Sequence, residues 1–188
     1  MGKPHYCKAV AQNYSYYCKI KAESKTLISN MICLSDRKNH KGHEECETLL
    51  RSKSITDELL LCVEGSKSCK NDFKFKIFNR SFMPQPCFRF DSDGDVHTNL
   101  GDIPLSERQI RPPHFHEFNE SGIEFAYKTD VLNEQERFLV DDRLFALAHF
   151  SKEENIIYSE PLAFERDDLF DCMETVYDPL SKEAFYEQ

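Results

Sequence analysis

The chain has no tryptophan and is poor in glycine and proline, with 6 and 8 of these residues among 188. Such low contents exclude a collagen-like or low-complexity chain. The 15 phenylalanines and 8 tyrosines supply the volume for a core. No run approaches the ~18 apolar residues of a membrane-spanning helix, and the first residues lack the apolar segment of a signal peptide. These absences favour a cytoplasmic protein with no membrane partner.

Cysteine pairs of the form Cys-x-x-Cys are also missing, although the chain contains 8 cysteines. Their absence removes the strongest sequence signatures of zinc binding and thiol redox chemistry. Six of the cysteines fall in the first 69 residues. In a cytoplasmic protein we expect most of them to be reduced and buried.

Charge is unevenly distributed along the chain. Residues 1–82 contain 15 Lys and Arg against 9 Asp and Glu, whereas residues 83–188 contain 9 against 24. This predicts a Cys-rich basic part over 1–82 and an acidic, histidine-bearing part over 83–188, a division that is also compatible with one continuous domain. The basic part suits the phosphates of nucleic acid or a nucleotide. The acidic part suits a basic protein partner.

Hydrophobic periodicity predicts an α+β fold with a mainly antiparallel sheet built from hairpins and flanked by helices. The clearest strand is 73–78, where apolar and basic residues alternate. The turn Asp93-Gly94 predicts a hairpin that places Phe90 opposite His97. Further strands are expected at 6–20, 26–34, 88–90, 96–99, 114–118, 123–128 and 156–158, and helices at 39–53, 56–63, 133–150 and 165–176.

The most informative residues for function are His97, Asn99, His114 and His116. On a strand, His114 and His116 share one face because they are two residues apart. Three imidazoles brought together can hold a divalent metal such as zinc or manganese and leave a position open for water. Without metal, one imidazole can act as base and another as acid. Polar strand residues with a purely structural role are the third interpretation.

Arg89 precedes these residues in the sequence and Arg111 lies between Asn99 and His114. Arg side chains stabilise the charge that develops on a phosphate. The candidate catalytic residues are therefore His97, His114, His116, Asn99, Arg89 and Arg111, with the three histidines as the candidate metal ligands.

Two other patterns contain metal-ligand residue types. Cys33, His40, His43 and Cys46 fit an alternative structural zinc site, because steps of three keep the last three on one side of the predicted helix. The spacing His114-x-His116-x3-Glu120 resembles the core of the first cupin motif, and His149 lies at a suitable distance in the sequence for the third histidine of that family.

The run Arg89-Phe-Asp91-x2-Gly94-x2-His97-x-Asn99, followed by Pro113-His114-Phe-His116, resembles the central signature of a poorly characterised family of small bacterial and phage proteins. The resemblance covers about residues 88–128. It implies a toxin-like or phage-defence setting, and it carries no catalytic assignment.

The sequence therefore predicts a histidine-cluster phosphodiesterase or nuclease, with or without metal assistance. The alternative is a non-catalytic acidic module that binds or inhibits a basic protein.

Overall fold

The computed structural model describes residues 5–166. Its helices are α1 (Lys8–Gln12), α2 (Tyr14–Ala22), α3 (Leu105–Arg108), α4 (Asp130–Glu134), α5 (Glu136–Asp141) and α6 (Arg143–Glu153). Its strands are β1 (Lys25–Leu27), β2 (Met31–Asp36), β3 (His43–Arg51), β4 (Leu59–Ser66), β5 (Phe73–Phe78), β6 (Phe88–Asp91), β7 (His97–Thr98), β8 (Gln109–Ile110), β9 (His114–Phe118), β10 (Glu124–Tyr127), β11 (Ile156–Ile157) and β12 (Ala163–Arg166).

Ten of these strands form one curled sheet in the order β10-β9-β6-β5-β4-β3-β1-β11, with β2 pairing β3 and β12. The pairs β1–β11 and β2–β12 are parallel, and the other pairs in this sheet are antiparallel. The predicted α+β class with a mainly antiparallel sheet is therefore confirmed. Strands on both sides of residue 82 belong to this sheet, because β5 pairs with β6.

The two faces of the central strands differ in chemistry. In β5, Phe73, Phe75 and Ile77 are buried, whereas Lys74 and Lys76 alternate with them and are only partly buried. The buried face continues into Phe90 of β6, whose ring stacks on Phe75 at 5.8 Å. We call this side the core face and the opposite, polar side the outer face. Helix α6 covers the core face, where Phe150 contacts Phe75.

The expectation of strands at 6–20 is wrong, because α1 and α2 occupy this segment. The side chain of Asn13 caps α2 by accepting a hydrogen bond from the Tyr16 amide. Tyr17 and Ile20 are three residues apart and both are buried. This helical spacing outweighs the β-propensity of the tyrosines.

The helices expected at 39–53 and 56–63 are also wrong, since these segments contain β3 and β4. Glu44, Glu45 and Glu47, the acids that suggested the first helix, lie in β3 opposite residues of β4. Leu59, Leu61 and Val63 alternate onto the core face and are buried. Pairing on both sides of β4 decides its structure.

The expected helix at 133–150 is divided into α4, α5 and α6. Asp142 interrupts it and caps α6 by accepting hydrogen bonds from the amides of Leu144 and Phe145. The strand at 156–158 is confirmed as β11. The helix expected at 165–176 is wrong at its start, where β12 runs to Arg166, and the rest of it lies outside the described residues.

The hairpin predicted around Asp93-Gly94 is wrong. β6 pairs with β5 and β9, and β7 pairs with β8, so Phe90 lies opposite Phe75 and Phe115 instead of His97. Phe88 and Phe90 of β6 are both buried. Their burial requires β6 to lie inside the sheet, between β5 and β9, with this register. The second predicted hairpin, made of β9 and β10, is confirmed.

Within residues 5–166, no helix is both long enough and apolar enough to cross a membrane.

Candidate metal centre

Strands β6, β9 and β10 place the candidate site on the outer face of the sheet. Asp91 lies opposite His114, and Arg89 lies opposite His116. Residues directly opposite each other in an antiparallel pair share a face, so these four side chains stand together. The intervening Phe115 points to the core face and contacts Phe150.

The three histidines are brought together. The ring centroids of His114 and His116 are 4.5 Å apart, those of His97 and His116 are 4.9 Å apart, and those of His97 and His114 are 6.4 Å apart. His114 and His116 are only 2% and 4% exposed. Nδ1 of each has no hydrogen-bond partner. Buried polar nitrogens without a partner are uncommon in proteins, and they mark a place where a ligand can bind.

His97 belongs to β7, which lies beside β10 through a contact made by Asn99. The amide oxygen of Asn99 accepts a hydrogen bond from the Ala126 amide at 2.7 Å, and its nitrogen donates to the Ala126 carbonyl at 2.8 Å. The side chain thus takes the place of a further strand at the edge of β10. Asn99 is a positioning residue, since it holds the hairpin β7–β8 that carries His97.

Two carboxylates complete the cluster. One set of possible metal ligands is Asp91, His114 and His116, and another is His97, His116 and Glu124. In each set the donor atoms lie within 4.8 Å of one another. The side chains of Asp91 and Glu124 are 11% and 12% exposed. The cluster therefore has the residue types, burial and spacing to hold a metal ion.

Asp91 and Glu124 were not predicted as ligands from the sequence. Asp91 belongs to the run that resembles the bacterial family. The expected hairpin paired β6 with β7, whereas Asp91 reaches the histidines because β6 pairs with β9. Glu124 could have been found from the predicted hairpin of 114–118 and 123–128. The register of its turn places Glu124 opposite Phe118, on the face that carries His116.

Arg89 is the cation among these groups. Its Nε lies 3.1 Å from Asp91 Oδ2, and its Nη2 lies 2.9 Å from His116 Nε2 and 3.7 Å from Glu124 Oε1. A guanidinium only donates hydrogen bonds, so Nε2 of His116 is the acceptor. A neutral His116 ring therefore carries its proton on Nδ1, which faces Glu124 Oε1 at 3.6 Å.

The environment favours the protonation states that bind metals. Burial, with repulsion from His116 added, lowers the pKa of His114 to about 4. Burial is also the main cause that lowers the pKa of His97. Burial would raise the pKa of Asp91, but the adjoining His116 ring and the charge of Arg89 outweigh it and hold this pKa below its ordinary value. Neutral imidazole and ionised carboxylate are the forms that coordinate metal ions.

Arg111 is exposed and lies just before β9. It is the one predicted site residue whose side chain the described contacts do not connect to the cluster.

The alternative zinc site loses its basis. His43 and Cys46 lie on the strand β3, where a separation of three residues points side chains to opposite faces. Together with Cys33 and His40, they are not among the donor groups that converge in the described part of the chain. The sulfur of Cys33 lies 3.5 Å from a carboxylate oxygen of Glu165.

The partial cupin pattern fails for a similar reason. His149 lies on α6, where its Nε2 is 2.9 Å from the Thr129 hydroxyl and its ring packs 5.5 Å from Phe115. It is therefore on the core face, whereas His114 and His116 are on the outer face.

A scan of the chain against protein-family models finds no match, and comparisons with curated proteins and with solved structures find none either. The resemblance of the run around Arg89 and His116 to a bacterial family stays a prediction.

Proposed function

We propose that this protein is a metal-assisted hydrolase of phosphodiesters, with Asp91, His114 and His116 as the ligands of a divalent ion. The observation that carries the proposal is the convergence of one carboxylate and two imidazoles, all buried, on the polar face of the sheet. Three protein ligands leave coordination positions for water and substrate. The unpaired Nδ1 of His114 is a donor atom that an ion would satisfy.

The donor set favours zinc or manganese. It contains imidazole and carboxylate and no thiolate, which disfavours ions that require sulfur ligands. Zinc accepts three such ligands with an open fourth position. Manganese accepts the same donors with more water.

The neighbouring residues suit a phosphate group. A bound divalent ion supplies a water molecule of lowered pKa and neutralises charge on the phosphoryl oxygens. Hydrolysis then adds the water oxygen to phosphorus, breaks one phosphorus–oxygen ester bond and delivers a proton to the departing oxygen. Arg89 adjoins the ligands and can contact a nonbridging oxygen as its charge develops. Exposed Arg111 suits the next phosphate of a nucleic-acid chain.

The direct test combines metal content with activity. The purified protein is assayed on single-stranded RNA, single-stranded DNA and a nitrophenyl phosphodiester, before and after chelation and after addition of zinc or manganese. We expect activity that chelation removes and one of these ions restores, and that falls at least about a hundred-fold in His114→Ala and His116→Ala.

His149→Gln is the matched control, because it removes a buried histidine of α6, which packs on the opposite face of the sheet. It should retain metal and activity. Absence of both metal and turnover in a folded protein would overturn the proposal. Turnover that resists chelation would replace it with the metal-free acid–base mechanism.

The acidic binding module and the role in bacterial or phage conflict stay predictions. Residues 167–188, which hold 7 of the acidic residues and a single lysine, lie outside the described residues.

A further inference from the structure

We propose that the centre binds two metal ions, one on each side of the His116 ring, with the ring as the bridge between them. This inference rests on the proposed function, because the first ion is the one held by Asp91 and His114. The second ion takes His97 and Glu124 as its other ligands.

The composition of the two donor groups is the first argument. Asp91, His114 and His116 form one group, and His97, His116 and Glu124 form the other. His116 is the one residue that they share.

The contacts of the His116 ring are the second argument. Its Nε2 lies 3.4 Å from Asp91 Oδ2, whereas its Nδ1 lies 3.6 Å from Glu124 Oε1. The two nitrogens of an imidazole direct their lone pairs away from each other. An ion bound at one nitrogen therefore cannot use the other, so each carboxylate belongs to a separate position.

The charges around the ring are the third argument. Two largely buried carboxylates adjoin the cation of Arg89, and buried charges require compensation. Binding of two divalent ions makes His116 an imidazolate, and the ring proton that it loses passes to solvent. The summed charge of two carboxylates and one imidazolate is −3 against +4 from the ions. The ions thus replace Arg89 as the compensating charge and release its guanidinium for a phosphate.

The second ion would connect two elements that the first does not. His97 comes from β7, whereas Glu124 comes from β10, the edge strand of the main sheet. Ions on opposite sides of an imidazole are farther apart than the ~3.5–4 Å of hydrolytic two-metal sites, so they would not share one water. We infer that the first ion holds the reacting water and the second fixes the β7–β8 hairpin over the site.

Metal stoichiometry tests the inference. Apoprotein is titrated with cobalt(II), and bound ions per chain are counted after gel filtration. We expect two ions in the unaltered protein, one in Glu124→Gln and one in Asp91→Asn, and two in the control Glu120→Gln, which changes an exposed acid in the β9–β10 turn. Thermal unfolding of each variant verifies that it is folded.

The outcomes separate the two proposals. One ion in the unaltered protein, with no change in Glu124→Gln, overturns the second site and leaves the proposed hydrolase standing. No bound ion overturns both. The bridge is tested by electron paramagnetic resonance of the copper(II)-loaded protein, in which an imidazolate couples the two spins. Two bound ions without coupling would overturn the bridge.

Discussion

At the scale of single residues, Arg89 shows how a metal site can be held ready by a protein cation. Its guanidinium lies against Asp91, His116 and Glu124. These contacts compensate charges that would otherwise be buried without a partner. The same side chain is then close enough to contact a substrate phosphate.

Arg89→Gln should destabilise the metal-free protein more than the metal-bound protein. Without the guanidinium the carboxylates of Asp91 and Glu124 remain largely buried and lose the cation that contacts both of them, which we expect to reduce the free energy of unfolding by ~1–3 kcal/mol. A bound ion takes over the compensation. Thermal unfolding with chelator and with zinc measures the two losses, and equal losses in both conditions would contradict this account.

His149 predicts the pH dependence of stability. Burial, with the charge of Lys152 added, lowers its pKa from 6.5 to about 4 in the folded protein. The unfolded chain therefore binds a proton between these values while the folded chain does not. The stability that depends on a neutral His149 is fully present above pH 6.5 and is lost as the pH falls. At pH 5 this loss lowers the free energy of unfolding by roughly 2 kcal/mol.

His149→Gln keeps a hydrogen-bonding group near Thr129 and removes this titration. Urea unfolding at pH 7.5 and pH 5 in the presence of chelator should show a smaller loss of stability in the variant by about that amount. His40→Gln, at an exposed position, is the control and should keep the loss of the unaltered protein. An undiminished loss in His149→Gln would show that this ring is not the source.

At the scale of secondary-structure elements, the β7–β8 hairpin depends on Asn99. Asn99→Ala removes both hydrogen bonds to Ala126. Their loss, ~1–3 kcal/mol together, should raise local opening of residues 97–110 by about 5-fold to 150-fold. Amide hydrogen exchange measures this opening.

Thr98→Ala, at an exposed neighbouring position, is the matched control and should leave exchange unchanged. In Asn99→Ala we also expect the ion at His97 and Glu124 to bind more weakly, while the ion at Asp91 and His114 is retained. Unchanged exchange would mean that other contacts hold the hairpin.

The sequence predicted those elements whose pattern is decided within a few residues. Alternation identified β5, and the turn between Asn119 and Gly122 identified the β9–β10 hairpin. The sequence predicts helices where β3 and β4 lie, because acids in or just before these strands resemble a helix start, whereas the strand structure depends on pairing with distant residues. The partners of β6 were likewise set by burial of Phe88 and Phe90, which no local turn signal reports.

The candidate site divides along the same lines. The grouping of His114 and His116 follows from strand alternation alone. The sequence predicts that His97 joins them through pairing of β7 with β6. In the structure His97 does join them, but β7 is held beside the site by the hydrogen bonds of Asn99. Asp91 and Glu124 required the order of β6, β9 and β10, which is a property of the whole sheet.

At the scale of the whole molecule, the sheet joins the basic and acidic parts of the chain. β5 and β6 pair along Lys74 to Ile77, and Phe75 stacks on Phe90 within the shared core. The outer face that carries the histidines is therefore supported by residues from both parts.

Separate expression of residues 1–82 and 83–188 should yield no independently folded part. Each would expose one edge of a central strand pair and half of the aromatic core, which we expect to cost far more than the ~5–15 kcal/mol that stabilises a typical domain. Circular dichroism and a cooperative urea transition are the measurements. A cooperative transition in either part alone would favour two domains.

The central claim is that buried donors on the outer face bind a metal ion. An anomalous-difference map from crystals grown with zinc tests it most directly. The account predicts a peak within coordination distance of Asp91, His114 and His116. Crystals saturated with zinc that show peaks elsewhere and none at these three residues would contradict it.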